Sequence, residues 1–364
     1  MEITIPHKNL QQALELVGRI STKHVTLPVL QCVRLEAKDG KISIQATNLE
    51  ISIELPLPGE VTEDGVVAVP TQIFLQSIQF LNQNEITLRT EDQVLQLETT
   101  NSKTSIKTFL VEEFPTLRRL EGEESQIQGA NFSYGIKSVS FAASQTSIKP
   151  ELGSVFVQQK KEHSLTFVAT DSFRLMEKTV SQKSLVFDQS IMIPQKNAIE
   201  LARVCEVVGE DPIFISNDNQ CALKFPGGVY VSSRLVTGSF PDYAQIIPKE
   251  FITHATVLKD DLLRSFKKTN IFLNKFRQVS LNVTETNLTI SSQNSEIGHT
   301  TDTIKASVEG EEITLSFNQQ YIMDPLSHIN DDSVKLSFAG VGRAVIIQGV
   351  NDKNLKYLVM PMNK

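Results

Sequence analysis

The sequence is short of several things, and each shortage removes a class of function. It has three cysteines, Cys32, Cys205 and Cys221. That odd set has no Cys-x-x-Cys spacing, which argues against a disulfide framework and a zinc site and reads as single buried thiols. No apolar run approaches the roughly 20 residues of a membrane span. The opening MEITIPHKNL has neither the basic end nor the apolar stretch of a secretion signal, so a cytoplasmic location is expected. Catalytic patterns are missing as well. The six histidines are scattered with no metal spacing, and there is no Gly-x-Ser-x-Gly elbow. FAGVGRAV (338–345) lacks the third glycine and the Lys-Ser/Thr of a phosphate loop and reads as a turn before a strand. Asp171 in ATDSFRL reads as a turn acid rather than a catalytic carboxylate. The chain is therefore expected to be no enzyme, with no catalytic residues, no cofactor and no metal. A basic excess is also missing: the net charge is −7, which taken alone argues against nucleic-acid binding.

What is present is a globular composition, 40% hydrophobic and 21% charged over 364 residues, long enough for about two or three domains. It is also repetitive. IQATNLEISIE from Ile44, FVATDSFRLME from Phe167 and TISSQNSEIGH from Thr289 each read as a strand ending in a small residue, a hydroxyl residue and a turn. Aligned on Thr47, Thr170 and Ser292, they are 123 and 122 residues apart. VPTQIFLQSIQFL, IPQKNAIELARVC and SFNQQYIMDPLSHI each read as a strand end followed by an amphipathic helix, with Pro70, Pro194 and Phe317 spaced by 124 and 123. Three opening helices complete the pattern, with Leu10, Leu14 and Val17, then Phe132, Ile136 and Val139, then Leu262, Leu263 and Phe266 on their apolar faces. Alternating segments such as KISIQAT and SLTFVAT predict sheets with one wet face. The junctions EEFPTLRRLEGEE and GSFPDYAQIIPKE divide the chain into 1–122, 123–246 and 247–364. Each is an α+β repeat with two helices packed on antiparallel sheets.

The opening helices resolve the charge puzzle. Residues 7–24, 129–149 and 258–277 carry +2, +2 and +4 with His uncounted, which leaves −15 on the remaining chain. Lysines on helices are ordinarily solvated faces, but three-fold recurrence points to one shared basic surface. Few aromatics interleave with these charges and no base-reading motif accompanies them. Such a surface meets phosphates without reading bases.

With these segments in view, the whole chain resembles the bacterial sliding-clamp family, the β subunits of DNA polymerase III. The resemblance rests on VTLPVL (25–30), ATDSFRL (169–175), FPDY (240–243), FNQQY (317–321) and YLVMPM (357–362), in order and at family distances. It implies three repeated clamp domains per protomer and a head-to-tail homodimer ring around duplex DNA, contacted without sequence preference. Carried over residue by residue, Lys23, His24, Lys149 and Lys196 face the DNA; Lys137, Arg264 and Lys268 join them from the basic opening helices. Many relatives have Arg in place of His24. Ile106 is expected to meet Ile271 and Phe272 of the neighbouring protomer. A pocket for short Gln- and Leu/Phe-containing peptides of polymerase, clamp loader and repair proteins is expected from Leu152, Thr170, Ser172, Phe173, Arg174 and Leu175. Pro241 and Ile246 of the second junction contribute to it, as do Asn318, Tyr321, Leu358, Val359, Met360, Pro361 and Met362. Relatives commonly carry Gly-His where this chain has Ser172-Phe173, and many end in Arg-Leu where it has Asn363-Lys364.

The resemblance thus implies a DNA polymerase processivity factor; a repeat-built protein-binding scaffold without DNA encirclement is the alternative. Tyr357 to Val359 are expected to finish a strand, with Met360 to Met362 turned toward the groove.

Overall fold

A computed structural model describes residues 1–21, 26–146, 148–183 and 189–362. It divides into two compact units, one mainly of Met1–Ser133 and Ile199–Leu235, the other mainly of Tyr134–Gln182 and Val236–Lys364. The class is α+β, as expected.

Among the described residues six α-helices follow the three pairs of sequence markers: α1 (His7–Val17), α2 (Thr71–Gln79), α3 (Gly129–Val139), α4 (Gln195–Val208), α5 (Lys259–Thr269) and α6 (Gln319–Met323). Pro70 immediately precedes α2 and Pro194 immediately precedes α4, where a missing N–H costs no helical hydrogen bond. The predicted apolar faces are buried at Leu10, Leu14, Val17, Phe132, Ile136, Val139, Leu262 and Phe266. Leu263 is only half-buried, because it sits 100° around α5 from Leu262 and falls on the flank of the stripe.

The sixth helix departs from its expected length. After five residues it tightens into a 3-10 turn over Asp324–His328. Pro325 has no N–H to give the carbonyl of Tyr321 four residues earlier. The Tyr357 hydroxyl donates to that carbonyl instead, at 2.7 Å.

The strands of the described residues pair antiparallel in four sheets. In the first unit a five-stranded sheet runs Glu60–Glu63, Glu2–Pro6, Glu85–Glu91, Val94–Glu98, Lys103–Lys107. An eight-stranded sheet runs Glu123–Gln126, Ile213–Ser216, Gln220–Lys224, Tyr230–Arg234, Ile51–Leu57, Lys41–Thr47, Cys32–Lys38, Gly65–Pro70. In the second unit a nine-stranded sheet runs Ile191–Pro194, Ser154–Gln158, Ser164–Thr170, Arg174–Ser181, Leu355–Val359, Val345–Gly349, Ser333–Phe338, Thr253–Leu258, Ser307–Gly310. A four-stranded sheet of Gly298–Lys305, Asn287–Asn294, Gln278–Val283 and Ile313–Asn318 completes it. The two large sheets cross repeat boundaries at equivalent places. Ile51 pairs with Ser233, and Arg174 pairs with Val359.

The expectation of one wet face fails at the centre of the nine-stranded sheet. Ser164–Thr170 and Arg174–Ser181 are buried almost throughout. One face lies under α3, where a Cβ at Gly135 would come within 2.3 Å of the Phe167 ring. The other face carries Val168 and Leu175 beneath Phe240 and Tyr243 of the second junction. Covered on both sides, these strands lose the alternation of a half-solvated sheet.

Candidate functional site

The site begins at the turn Thr170-Asp171-Ser172-Phe173-Arg174. The Thr170 hydroxyl donates to the Arg174 carbonyl at 2.7 Å and accepts from the Ser172 N–H at 3.2 Å. Asp171 Oδ1 accepts from the N–H groups of Phe173 and Arg174, both at 3.0 Å. Short polar side chains thereby satisfy backbone N–H groups at the tip of the turn, between the ladder pairs Thr170–Leu175 and Arg174–Val359. Closing it places Ser172 at φ +77°, a left-handed conformation that costs a non-glycine residue about 1 kcal/mol. The first repeat builds the same device. Thr47 Oγ1 donates to the Ile51 carbonyl and accepts from the Leu49 N–H, Asn48 takes the place of Asp171, and Leu49 has φ +76°. The third copy is different: Ser292 donates to the Thr269 carbonyl, and its strand runs on to Asn294.

Arg174 connects this turn to α6. Its Nε donates to Asp171 Oδ2 at 3.0 Å, Nη1 to Asp324 Oδ2, and Nη2 to the Phe141 carbonyl at 2.8 Å. The guanidinium lies 4.4 Å over the Tyr321 ring. Burial opposes its charge, but Tyr357, Asp324 and Asp171 outweigh burial and hold its pKa above the ordinary arginine value. The planar fork is needed, because one ammonium point charge could not meet three acceptors in these directions. Asn318 caps α6 by accepting from the Gln320 N–H, so Tyr321 and Asp324 sit on a helix with a fixed start.

The last strand supplies the adjoining wall. Tyr357, Leu358 and Val359 are buried in the nine-stranded sheet, completing a strand as expected. Beyond it the Met360 N–H donates to the Phe173 carbonyl and the Met362 N–H to the Ser316 carbonyl, each at 2.8 Å. Leu175 and Leu358 join Val168, Tyr243, Ala344 and Ile346 in one apolar cluster. Leu152 is buried, with its N–H on the Lys149 carbonyl. Phe173, Ile246 and Pro241 are exposed, Phe173 to 62% and Ile246 to 53%. Met360 is exposed to 37%, while Pro361 and Met362 are half-buried. The second junction is held down by the Tyr243 hydroxyl, which donates to the buried Glu177 at 2.7 Å. All the expected pocket residues thus lie in the second unit. Hydrogen bonds or strand pairing link the turn, α6 and the last strand.

The expected cations are less uniform. Lys23 and His24 lie outside the described residues, as do Asn363 and Lys364. Lys137, Lys149 and Lys196 are exposed. Arg264 is ion-paired with Asp261 on its own helix, and Lys268 with Asp302 at 2.8 Å, so both acids offset positive charge there. Of the residues expected at a subunit contact, Ile271 is 66% exposed and Phe272 half-buried. Ile106 is 3% exposed within its own sheet, on the edge strand Lys103–Lys107. The three cysteines are buried and unpaired, and burial pushes each thiol up to about 12.

Models for the N-terminal, central and C-terminal domains of the DNA polymerase III beta subunit match residues 1–118, 126–242 and 244–363. The chain belongs to that family. Among curated relatives it is similar to the beta sliding clamps of Salmonella typhimurium (28% identical) and Escherichia coli (27%), each over the full length of both chains. Among solved structures it is similar to the DNA polymerase III subunit beta of Pseudomonas aeruginosa. The TM-score there is 0.94 at 25% identity, covering all of both chains.

Sequence reasoning missed the support beneath the site. Asp324, Phe141 and Gln320 were not singled out, yet Gln320 Nε2 donates to Asp324 Oδ1 and Asp324 accepts from Arg174. Nothing in sequence links Asp324 to Arg174, 150 positions away. The proline that shortens α6 was readable, since Pro inside a helical pattern ends it.

Proposed function

We infer that the chain is a sliding clamp and DNA polymerase processivity factor with no chemistry of its own, acting in the cytoplasm. The observation that carries this reading is the match of all three beta-subunit domains along one chain. No helix among the described residues is long and apolar enough to cross a membrane. The reading takes the domains as 1–122, 123–246 and 247–364, and two protomers as closing head to tail around duplex DNA. Exposed Lys149, Lys196 and Lys137 support a sequence-blind phosphate contact, and a closed ring replaces tight binding with topological retention. The edge strand Lys103–Lys107 presents open backbone for strand addition. This supports a subunit contact made through the edge, with Ile271 and Phe272 of the partner packing alongside. Exposed Phe173, Ile246 and Met360, together with the apolar cluster that holds Leu175, Tyr243 and Leu358, support the peptide pocket, and Arg174 stacked on Tyr321 braces it.

The test is retention after loading by a clamp loader onto nicked circular DNA, followed by linearisation. The clamp should stay on the circle and leave the linear form. Equal loss from both would overturn the ring mechanism and favour a scaffold without encirclement.

A further inference from the structure

A second cavity borders the Arg174 brace. It encloses about 620 Å³ between the turn after α3, the start of α5 and the 3-10 turn that follows α6. Around it Leu326 and Ile329 are buried, while Phe141, Leu263 and Met323 are half-buried. Among the described residues, none expected in the peptide pocket lines it.

Two features fix what chemistry it suits. The first is a stack of rings. Phe141 and His328 lie face to face, with centroids 4.9 Å apart and planes 5° from parallel. Arg174 lies 5.4 Å over the Phe141 ring and 4.4 Å over that of Tyr321, and its Nη2 holds the Phe141 carbonyl at 2.8 Å. The stack is therefore held in place from the brace side before any ligand arrives. Burial holds the His328 pKa below the ordinary histidine value, although Asp324 opposes it, so the ring is neutral near neutral pH and stacks as an aromatic. The second feature is a cation. Lys259 is half-buried, and its Nζ donates to the Ile329 carbonyl at 2.8 Å, which leaves its other N–H groups to donate elsewhere. The acids beside it are already engaged. Asp324 accepts from Arg174 and Gln320, and Asp331 accepts from the Asn351 amide and the Asp352 N–H. An ammonium set in a partly apolar wall attracts an anion more strongly than one in open water.

We propose that this cavity is a second ligand site, for a small planar aromatic anion, an aryl carboxylate or aryl phosphate, its ring against the Phe141–His328 stack and its charge on Lys259. The volume falls in the range of small-molecule pockets. Met323 supplies the unbranched, polarisable side chain that adapts to rings of different outline. The site stands independently of the peptide-pocket reading.

The experiment follows naphthoate, naphthyl phosphate and the neutral naphthamide by ligand-observed NMR against the full chain. At least one anion should bind about tenfold tighter than the amide, and the tighter of the two names the head group. Lys259→Gln should remove that preference, and Leu263→Glu should weaken the anion about tenfold by setting a like charge in the wall. Hydrogen exchange should show anion-dependent protection over α6 and Asp324–His328. Protection of the Thr170–Arg174 turn instead would put the ligand in the peptide pocket, overturning the second site and leaving that pocket standing. A preference for the anion that survives Lys259→Gln overturns the proposal too. If a variant fails to fold, the parent chain decides, and a difference between anions and amide below about twofold overturns it.

Discussion

Tyr243→Phe isolates one hydrogen bond that holds the second junction to its sheet. Glu177 has a side chain only 8% exposed and receives Lys160 Nζ at 2.6 Å, the Tyr243 hydroxyl at 2.7 Å, and Lys356 at 3.7 Å. Removing the hydroxyl keeps the ring, so the stacking of Lys160 over it at 4.8 Å survives. What is lost is a bond to a charged acceptor, about 2 kcal/mol, and Gln158 Nε2 loses the oxygen it donates to. Burial pushes the Glu177 carboxyl up, but Lys160, Tyr243 and Lys356 outweigh burial and hold it below the ordinary glutamate value. A group depressed in the folded state contributes its stability above its unfolded pKa of about 4.3 and loses it as pH falls through the folded value. The deficit of the variant should therefore be full at pH 7 and shrink in acid. Urea unfolding followed by far-UV circular dichroism, the chain having no tryptophan, measures both. A deficit below about 0.5 kcal/mol at pH 7, or one that grows as the pH is lowered, would refute the reasoning.

Ser172→Gly should stabilise the chain by about 1 kcal/mol by relieving the φ of +77°; an unchanged melting midpoint would count against strain at that turn. Tyr357→Phe should cost about 1–3 kcal/mol, because the Tyr321 carbonyl loses the donor that Pro325 cannot supply. Hydrogen exchange at α6 would show the loss locally, and protection equal to the parent would refute it. Gly135→Ala should destabilise by about 1–3 kcal/mol, its Cβ meeting the Phe167 ring at 2.3 Å; denaturant titration reads this directly. Lys149→Ala and Lys196→Ala should each reduce the salt dependence of duplex DNA binding by about one unit of slope. Arg264→Ala should do less, since Asp261 already pairs with it.

The repeated architecture was legible because its signals are local. Strand segments ending at Thr47 and Thr170 and apolar stripes on the opening helices are read within a dozen residues, and they recur in register. The joining of repeats was not legible. Ile51 meets Ser233 and Arg174 meets Val359 across 182 and 185 positions, and no local pattern specifies such pairings. The left-handed turns at Leu49 and Ser172 also escaped, since neither residue is the Gly or Asn that usually marks that conformation. Nor did the sequence announce that Glu177 and Lys178 would be buried. Their neutralisation depends on Lys160, Tyr243 and Asp352 arriving from elsewhere in the chain. Of the candidate site, the apolar wall was visible from the family resemblance, and the polar brace behind it was not.

One frame serves two outcomes, and the junctions show why. Aligning Phe114-Pro115 with Phe240-Pro241 puts Arg119 and Leu120 where the second junction has Gln245 and Ile246. Arg119 lies 4.2 Å over the Tyr230 ring and pairs with Glu54 at 2.8 Å, while the Leu120 N–H donates to the Tyr230 hydroxyl at 2.7 Å. The first junction is thus fastened to its own sheet through the side chain next to Leu120, and Leu120 packs half-buried on the cluster around Tyr230. In the second, Tyr243 takes over the fastening three residues earlier, and Ile246 is left 53% exposed. Moving the anchor along the junction frees the apolar residue that the first repeat keeps for itself. With exposed Phe173 and Met360 joined by the backbone bond that joins exposed Glu50 and Arg234 in the first repeat, a segment that closes a sheet in one repeat borders exposed apolar side chains in the next. The duplicated backbone accounts for the shape of the site, and the divergence of a few side chains on it accounts for what the site can hold.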